Sequence, residues 1–87
     1  MKRLRDYAWW PRIWADYAAA DEVSRHGCFI TCRSSNYGLT ITIDCNKTSC
    51  NSTITPQPGL DLEKLGQFLR RHRNKPMSIV ENLEIEL

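Results

Sequence analysis

Residues 28–45 hold two runs in which apolar and polar side chains alternate, and no other stretch restricts the fold as tightly. Cys28, Ile30 and Cys32 alternate with Phe29 and Thr31, and Leu39, Ile41, Ile43 and Cys45 alternate with Thr40, Thr42 and Asp44. A period of two, rich in β-branched residues, predicts two half-buried strands. Ser34-Ser35-Asn36-Tyr37-Gly38 supplies turn chemistry between them. A symmetric hairpin sets Cys32 opposite Leu39, Ile30 opposite Ile41 and Cys28 opposite Ile43, all on one face. A weaker run, Cys50 to Thr55, follows the link Asn46-Lys47-Thr48-Ser49 and places Cys50 opposite Cys45, Ser52 opposite Ile43 and Ile54 opposite Ile41. The opposite face carries Thr31, Arg33, Thr40, Thr42, Asp44, Asn51, Thr53 and Thr55, with Phe29 its one apolar member. The expectation is a three-stranded antiparallel meander with one buried and one wet face.

Helical signals flank the meander. Pro11 suits a first helical turn, and Ile13, Trp14, Tyr17, Ala20 and Ser24 form a stripe that ends at Arg25, His26 and Gly27. After Pro56-Gln57-Pro58-Gly59, Asp61 can cap a second helix from Leu62 to about Arg73, its apolar face built by Leu62, Leu65, Phe68, Leu69 and His72. Gly66 borders that face and allows a close approach to the sheet. The tail is two-sided: Leu83, Ile85 and Leu87 alternate as in a strand, while Ser78 and Glu81 have capping-box spacing. The strand reading is preferred. The expected fold is α+β, in the order α-β-β-β-α, with two helices on one sheet face. It forms one small domain over residues 1–87, with residues 1–10 an N-terminal arm and 77–87 a short C-terminal appendage.

Charged residues are 25% and hydrophobic ones 41% of the chain, which is globular rather than disordered composition. A chain this short buries roughly 60% of its unfolded surface, so the core is small. The net charge of +2 neither demands nor excludes nucleic acid. No apolar run is long enough for a membrane, and Asp6, Pro11, Arg12 and Asp16 interrupt any secretory h-region after the basic start. These features predict a cytoplasmic chain with no membrane partner. In that compartment the four cysteines default to thiols. Asn46-Lys47-Thr48 and Asn51-Ser52-Thr53, which match glycosylation acceptors, then read as chance products of a hairpin rich in Thr and Asn.

Three groups of residues carry possible chemistry. Cys28, Cys32, Cys45 and Cys50 could hold zinc, yet a strand separates Cys28 from Cys32 by roughly 13 Å at about 3.3 Å per residue, too far for ligands about 2.3 Å from one ion. Core thiols are the expectation, with no metal and no cofactor; a Cys45–Cys50 disulfide is a further alternative. Trp9, Trp10 and Trp14 fall within six residues, more aromatic surface than one small sheet face covers. Trp9 and Trp10, extended ahead of Pro11, would point to opposite sides and leave one outward, a partner anchor or a self-association surface. Arg70, Arg71 and Arg73, with Lys75, form a cationic cluster that complements the helix C-terminus and could also contact phosphates.

The α-β-β-β-α order is similar in topology to double-stranded-RNA-binding domains. Their second helix begins with a lysine cluster; here that turn is Asp61-Leu62-Glu63-Lys64, whose carboxylates repel phosphate. No Gly-rich phosphate loop, His-Glu-x-x-His or Gly-x-Ser-x-Gly occurs. Ribonuclease toxins of related topology are expected to use a strand histidine, and His26 is the nearest substitute. The leading expectation is a non-enzymatic protein that binds a protein partner as a stoichiometric inhibitor or regulator of a larger complex, of the kind phages and other mobile elements encode. Trp9, Trp10 and Trp14 would be its anchors and Arg70, Arg71 and Arg73 its charged contacts. A nucleic-acid-binding regulator, using the basic helix end and the N-terminal arm, is the alternative, and a small ribonuclease toxin ranks third.

Overall fold

The computed structural model describes residues 1–13, 28–45 and 48–87. Its centre is an antiparallel sheet of β2 (Phe29–Ser35), β3 (Gly38–Cys45) and β4 (Thr48–Ile54), in that spatial order. The remaining described elements are β1 (Lys2–Arg3), a 3₁₀ turn (Leu4–Asp6), α1 (Trp10–Ile13), α2 (Leu62–Arg71), α3 (Met77–Val80) and β5 (Glu84–Ile85). The molecule is a small α+β fold with the meander at its core.

The faces of the meander are as expected, but the register is not. Ile30 pairs with Ile43, Cys32 with Ile41 and Ser34 with Leu39, two residues away from the symmetric hairpin. The reason is the turn. Ser35 pairs with Gly38, so only Asn36 and Tyr37 connect the strands. Gly38 has φ +133°, and a Cβ there would run into the carbonyl of Ile54 on β4. Glycine at that position therefore permits both the tight turn and the close third strand. The Ser35 hydroxyl holds the turn, accepting from the Tyr37 amide at 3.2 Å and donating to the Gly38 carbonyl at 3.4 Å. The second connection also tightens: Cys45 pairs with Thr48, Ile43 with Cys50 and Leu39 with Ile54. A shift of two preserves parity, so Ile30, Leu39, Ile41, Ile43 and Ile54 still share the buried face.

α2 covers that face. The Asp61 carboxylate caps it, accepting from the Lys64 amide at 3.0 Å, and Leu65 and Leu69 are fully buried. Gly66 lies against the sheet: a Cβ there would stand 3.4 Å from Leu39 Cδ1, and the Cys32 thiol donates to the Gly66 carbonyl at 3.5 Å. The helix ends two residues before the expected Arg73, with His72 as its C-cap. Of the first expected helix only the start, α1, is described; its stripe from Trp14 onward, and His26 with Gly27, lie outside the described residues.

Both termini depart from the expected arm and appendage. Within residues 1–10, β1 pairs antiparallel with β5, Lys2 opposite Ile85 and Arg3 opposite Glu84, and Leu4 and Trp10 are buried, while Met1, Lys2, Arg3, Arg5, Asp6 and Ala8 are exposed. The tail contains both readings rather than one. Met77–Val80 is helical, with Met77 and Val80 buried, and Glu84–Ile85 is a strand that pairs with β1, not with the meander. Pro76 is the N-cap of α3 with no side-chain cap bond, so the Ser78–Glu81 box does not form. The Met77 amide donates to the Cys28 carbonyl, and Phe29 bridges to Pro76, tying α3 to the start of β2.

Candidate interaction surfaces

The cysteines divide between two states. Cys28 is disulfide-bonded and almost fully buried, with its partner outside the described side chains; Cys32 and Cys50 are free. Carried one residue beyond the Phe29–Asp44 pair, the register brings Cys28 opposite Cys45 on the neighbouring strand. The expectation of four core thiols is thus overturned at Cys28, because the tighter turn moved it off Ile43. The Cys45–Cys50 disulfide is excluded by the free Cys50. A cysteine held in a disulfide has no thiolate for a metal, which removes the four-cysteine zinc alternative. Burial raises the Cys32 thiol above its ordinary pKa of 9.0, and the Arg70 charge opposes that shift. Cys32 is accordingly a core thiol and a poor nucleophile at neutral pH.

The aromatic cluster is internal glue more than surface. Trp10 starts α1 and is 1% exposed, so it is not available as a partner anchor. Its indole N–H donates to Glu81 Oε2 at 3.4 Å, meeting a carboxylate that is itself buried. Trp9 is half-buried, 5.6 Å from the Tyr7 ring and edge-on to Trp10 at 6.2 Å. The expected splaying of Trp9 and Trp10 fails because the Trp10 amide donates to the Tyr7 carbonyl at 3.0 Å, turning the chain before Pro11. Tyr7 completes the clasp: its hydroxyl donates to the Ile85 carbonyl at 2.7 Å and accepts from the Leu87 amide at 3.1 Å. Trp14 lies outside the described residues.

The cationic residues fall in two settings. At the N-terminus, Arg3 is registered opposite Glu84, Arg5 Nη1 donates to Asn82 at 3.3 Å, and the Lys2 ammonium sits 5.4 Å from the Tyr7 ring centre. Arg5 and Lys2 thus touch the clasp, while all three of these cations remain exposed. At the end of α2, Arg70, Arg71, Arg73 and Lys75 are exposed as well. Arg70 reaches the sheet edge, where its Nη2 donates to Ser34 Oγ at 2.6 Å. The shifted register makes this contact possible by extending β2 through Ser34 and Ser35. His72, edge-on to Phe68 at 4.9 Å, is held below its ordinary pKa of 6.5 by desolvation, then by Lys75 and Arg71.

The uncovered side of the meander carries cross-strand polar rows. Thr31, Thr42 and Asn51 form one row, and Arg33, Thr40 and Thr53 another. Thr42 Oγ1 donates to Asn51 Oδ1 at 2.5 Å, and the Thr40 and Thr53 hydroxyls share a bond of 3.0 Å. Thr31, Arg33, Thr40, Thr42 and Asn51, with Cys32, line an open concavity of about 400 Å³. Phe29, 46% exposed, stands at one end of this side. Among the described residues no helix is long and apolar enough to cross a membrane. No protein family, curated protein or solved structure matches this chain.

Proposed function

We propose that the chain is a small, non-enzymatic macromolecule-binding protein, a stoichiometric inhibitor or regulator of a larger protein complex. It presents the cationic end of α2 to an acidic surface of its partner. The observation that carries this reading is the contrast between the two cationic groups. At the N-terminus Arg5 bonds Asn82 and Lys2 sits over the Tyr7 ring, whereas Arg71, Arg73 and Lys75 stand clustered and exposed beside an Arg70 anchored to Ser34. Anchoring one arginine reduces the side-chain entropy lost on binding. Trp10 leaves the set of anchors, and Trp9 contributes at most its exposed edge. The Cys28 disulfide supports an oxidising compartment over the cytoplasm expected from the sequence.

The same cations favour nucleic acid as a second reading, and salt separates the two from the bland alternative of a solvated helix end. Binding to phosphates weakens steeply with salt because counterions are released. The test is capture of partners from the cells that make the chain, with nuclease added, using the wild type, the Arg70→Glu/Arg71→Glu/Arg73→Glu variant and Trp9→Ala. A nuclease-resistant protein partner that the charge variant loses, at unchanged melting temperature, is the expected result. Recovery unaffected by the charge reversal contradicts the assignment, and loss on nuclease treatment transfers it to the nucleic-acid reading.

A further inference from the structure

We infer that Asn51 is a site of N-linked glycosylation, and that the open side of the sheet carries the glycan. Asn51-Ser52-Thr53 has the acceptor pattern, with a hydroxyl two residues after the asparagine. A pattern this short occurs by chance, and in a reducing cytoplasm it would mean nothing. The Cys28 disulfide changes that premise, since disulfides form in the oxidising compartments where such glycans are attached.

Geometry supports the same residue. Asn51 lies on β4, an edge strand of the meander, and is exposed on its polar side. Its Oδ1 accepts from Thr42, so the acceptor carbonyl is occupied while the reacting atom is the amide nitrogen. A sugar on Nδ2 retains the Oδ1 bond and leaves the Thr42–Asn51 pair intact. Thr53 is exposed on the same side. The cationic end of α2 lies with the helix on the opposite, covered side, so the glycan leaves the proposed partner surface free. A bulky hydrophilic group here would also keep a polar sheet and its edge from pairing with other strands.

The chemistry balances with one co-reactant, a lipid pyrophosphate-linked oligosaccharide. The Asn51 amide nitrogen attacks C1 of the first sugar and an N–C1 bond forms. The C1–O bond breaks, the lipid pyrophosphate leaves with the bonding pair, and the amide gives up one proton to the transferase's base. The acceptor is modified on the extended nascent chain, so its later place in a strand is no obstacle.

The test is production of the full chain through the secretory route of a eukaryotic cell behind a cleavable leader. Intact mass is read before and after an N-glycan-removing amidase, which leaves aspartate at the modified position. The expected result is a glycan at Asn51 that survives Asn46→Gln and disappears in Asn51→Gln and Thr53→Ala, with Thr53→Ser retaining it. An unmodified chain, or a glycan confined to Asn46, overturns the inference. Folding is read independently from whether Cys28 stays oxidised, so a misfolded variant is not mistaken for an unmodified one.

Discussion

At the scale of single residues, Trp10 decides how the N-terminus is understood. An indole that is 1% exposed and bonded to a buried Glu81 is a structural group, whatever its neighbours suggest. Truncating it removes the largest fully buried side chain among the described residues. Trp10→Ala should therefore cost about 3–5 kcal/mol, the range for buried aromatic deletions. Trp9→Ala should cost clearly less, because Trp9 is only half-buried. Chemical denaturation of both variants checks the order, and an equal or reversed loss contradicts the placement. Adjacent tryptophans before a proline looked extended in the sequence, and the alternation of surface and core was inferred from that. What the residues alone did not reveal is the Tyr7–Trp10 backbone bond, a turn set by the tertiary clasp with β5 rather than by local preference.

At the scale of elements, the strands and their inward faces were legible because a period of two in β-branched residues has few other readings. The register was not. Parity fixes which side chains face inward, but sliding a pairing by two residues preserves parity, so the hydrophobic pattern is silent on it. The choice rests with the turn, and Gly38 makes it. Gly38→Ala places an L side chain at φ +133° and a Cβ against the Ile54 carbonyl. It should destabilise the fold by about 1–3 kcal/mol or more, as strained backbone positions do. Thermal melts measure it, and a neutral effect would mean that the turn is formed elsewhere. α2 was readable almost to the residue, from Asp61 as cap and the Leu65–Leu69 face, since both signals are local. The pairing of β1 with β5 joins residues some 80 positions apart; the alternation at Leu83, Ile85 and Leu87 announced a strand, but nothing local named β1 as its partner.

At the scale of the whole molecule, one covalent fact reorders the interpretation. The chain was expected in a reducing compartment because no h-region was visible; the four thiols rested on that together with strand spacing, and the two acceptor patterns were read as chance on that ground. A disulfide at Cys28 replaces one of the expected thiols, adds roughly 2–4 kcal/mol of stability where such links are unstrained, and under the proposed oxidising compartment gives the Asn51 pattern a context. The candidate site was partly legible: Arg70, Arg71 and Arg73 are exposed as a group, but the contact that aims Arg70 depends on the register and so was out of reach. The most direct measurement is alkylation of the unfolded, unreduced protein followed by peptide mapping. The account predicts adducts on Cys32 and Cys50 and none on Cys28 until a reductant is added. An adduct on Cys28 without reduction would contradict it, and with it the oxidising compartment.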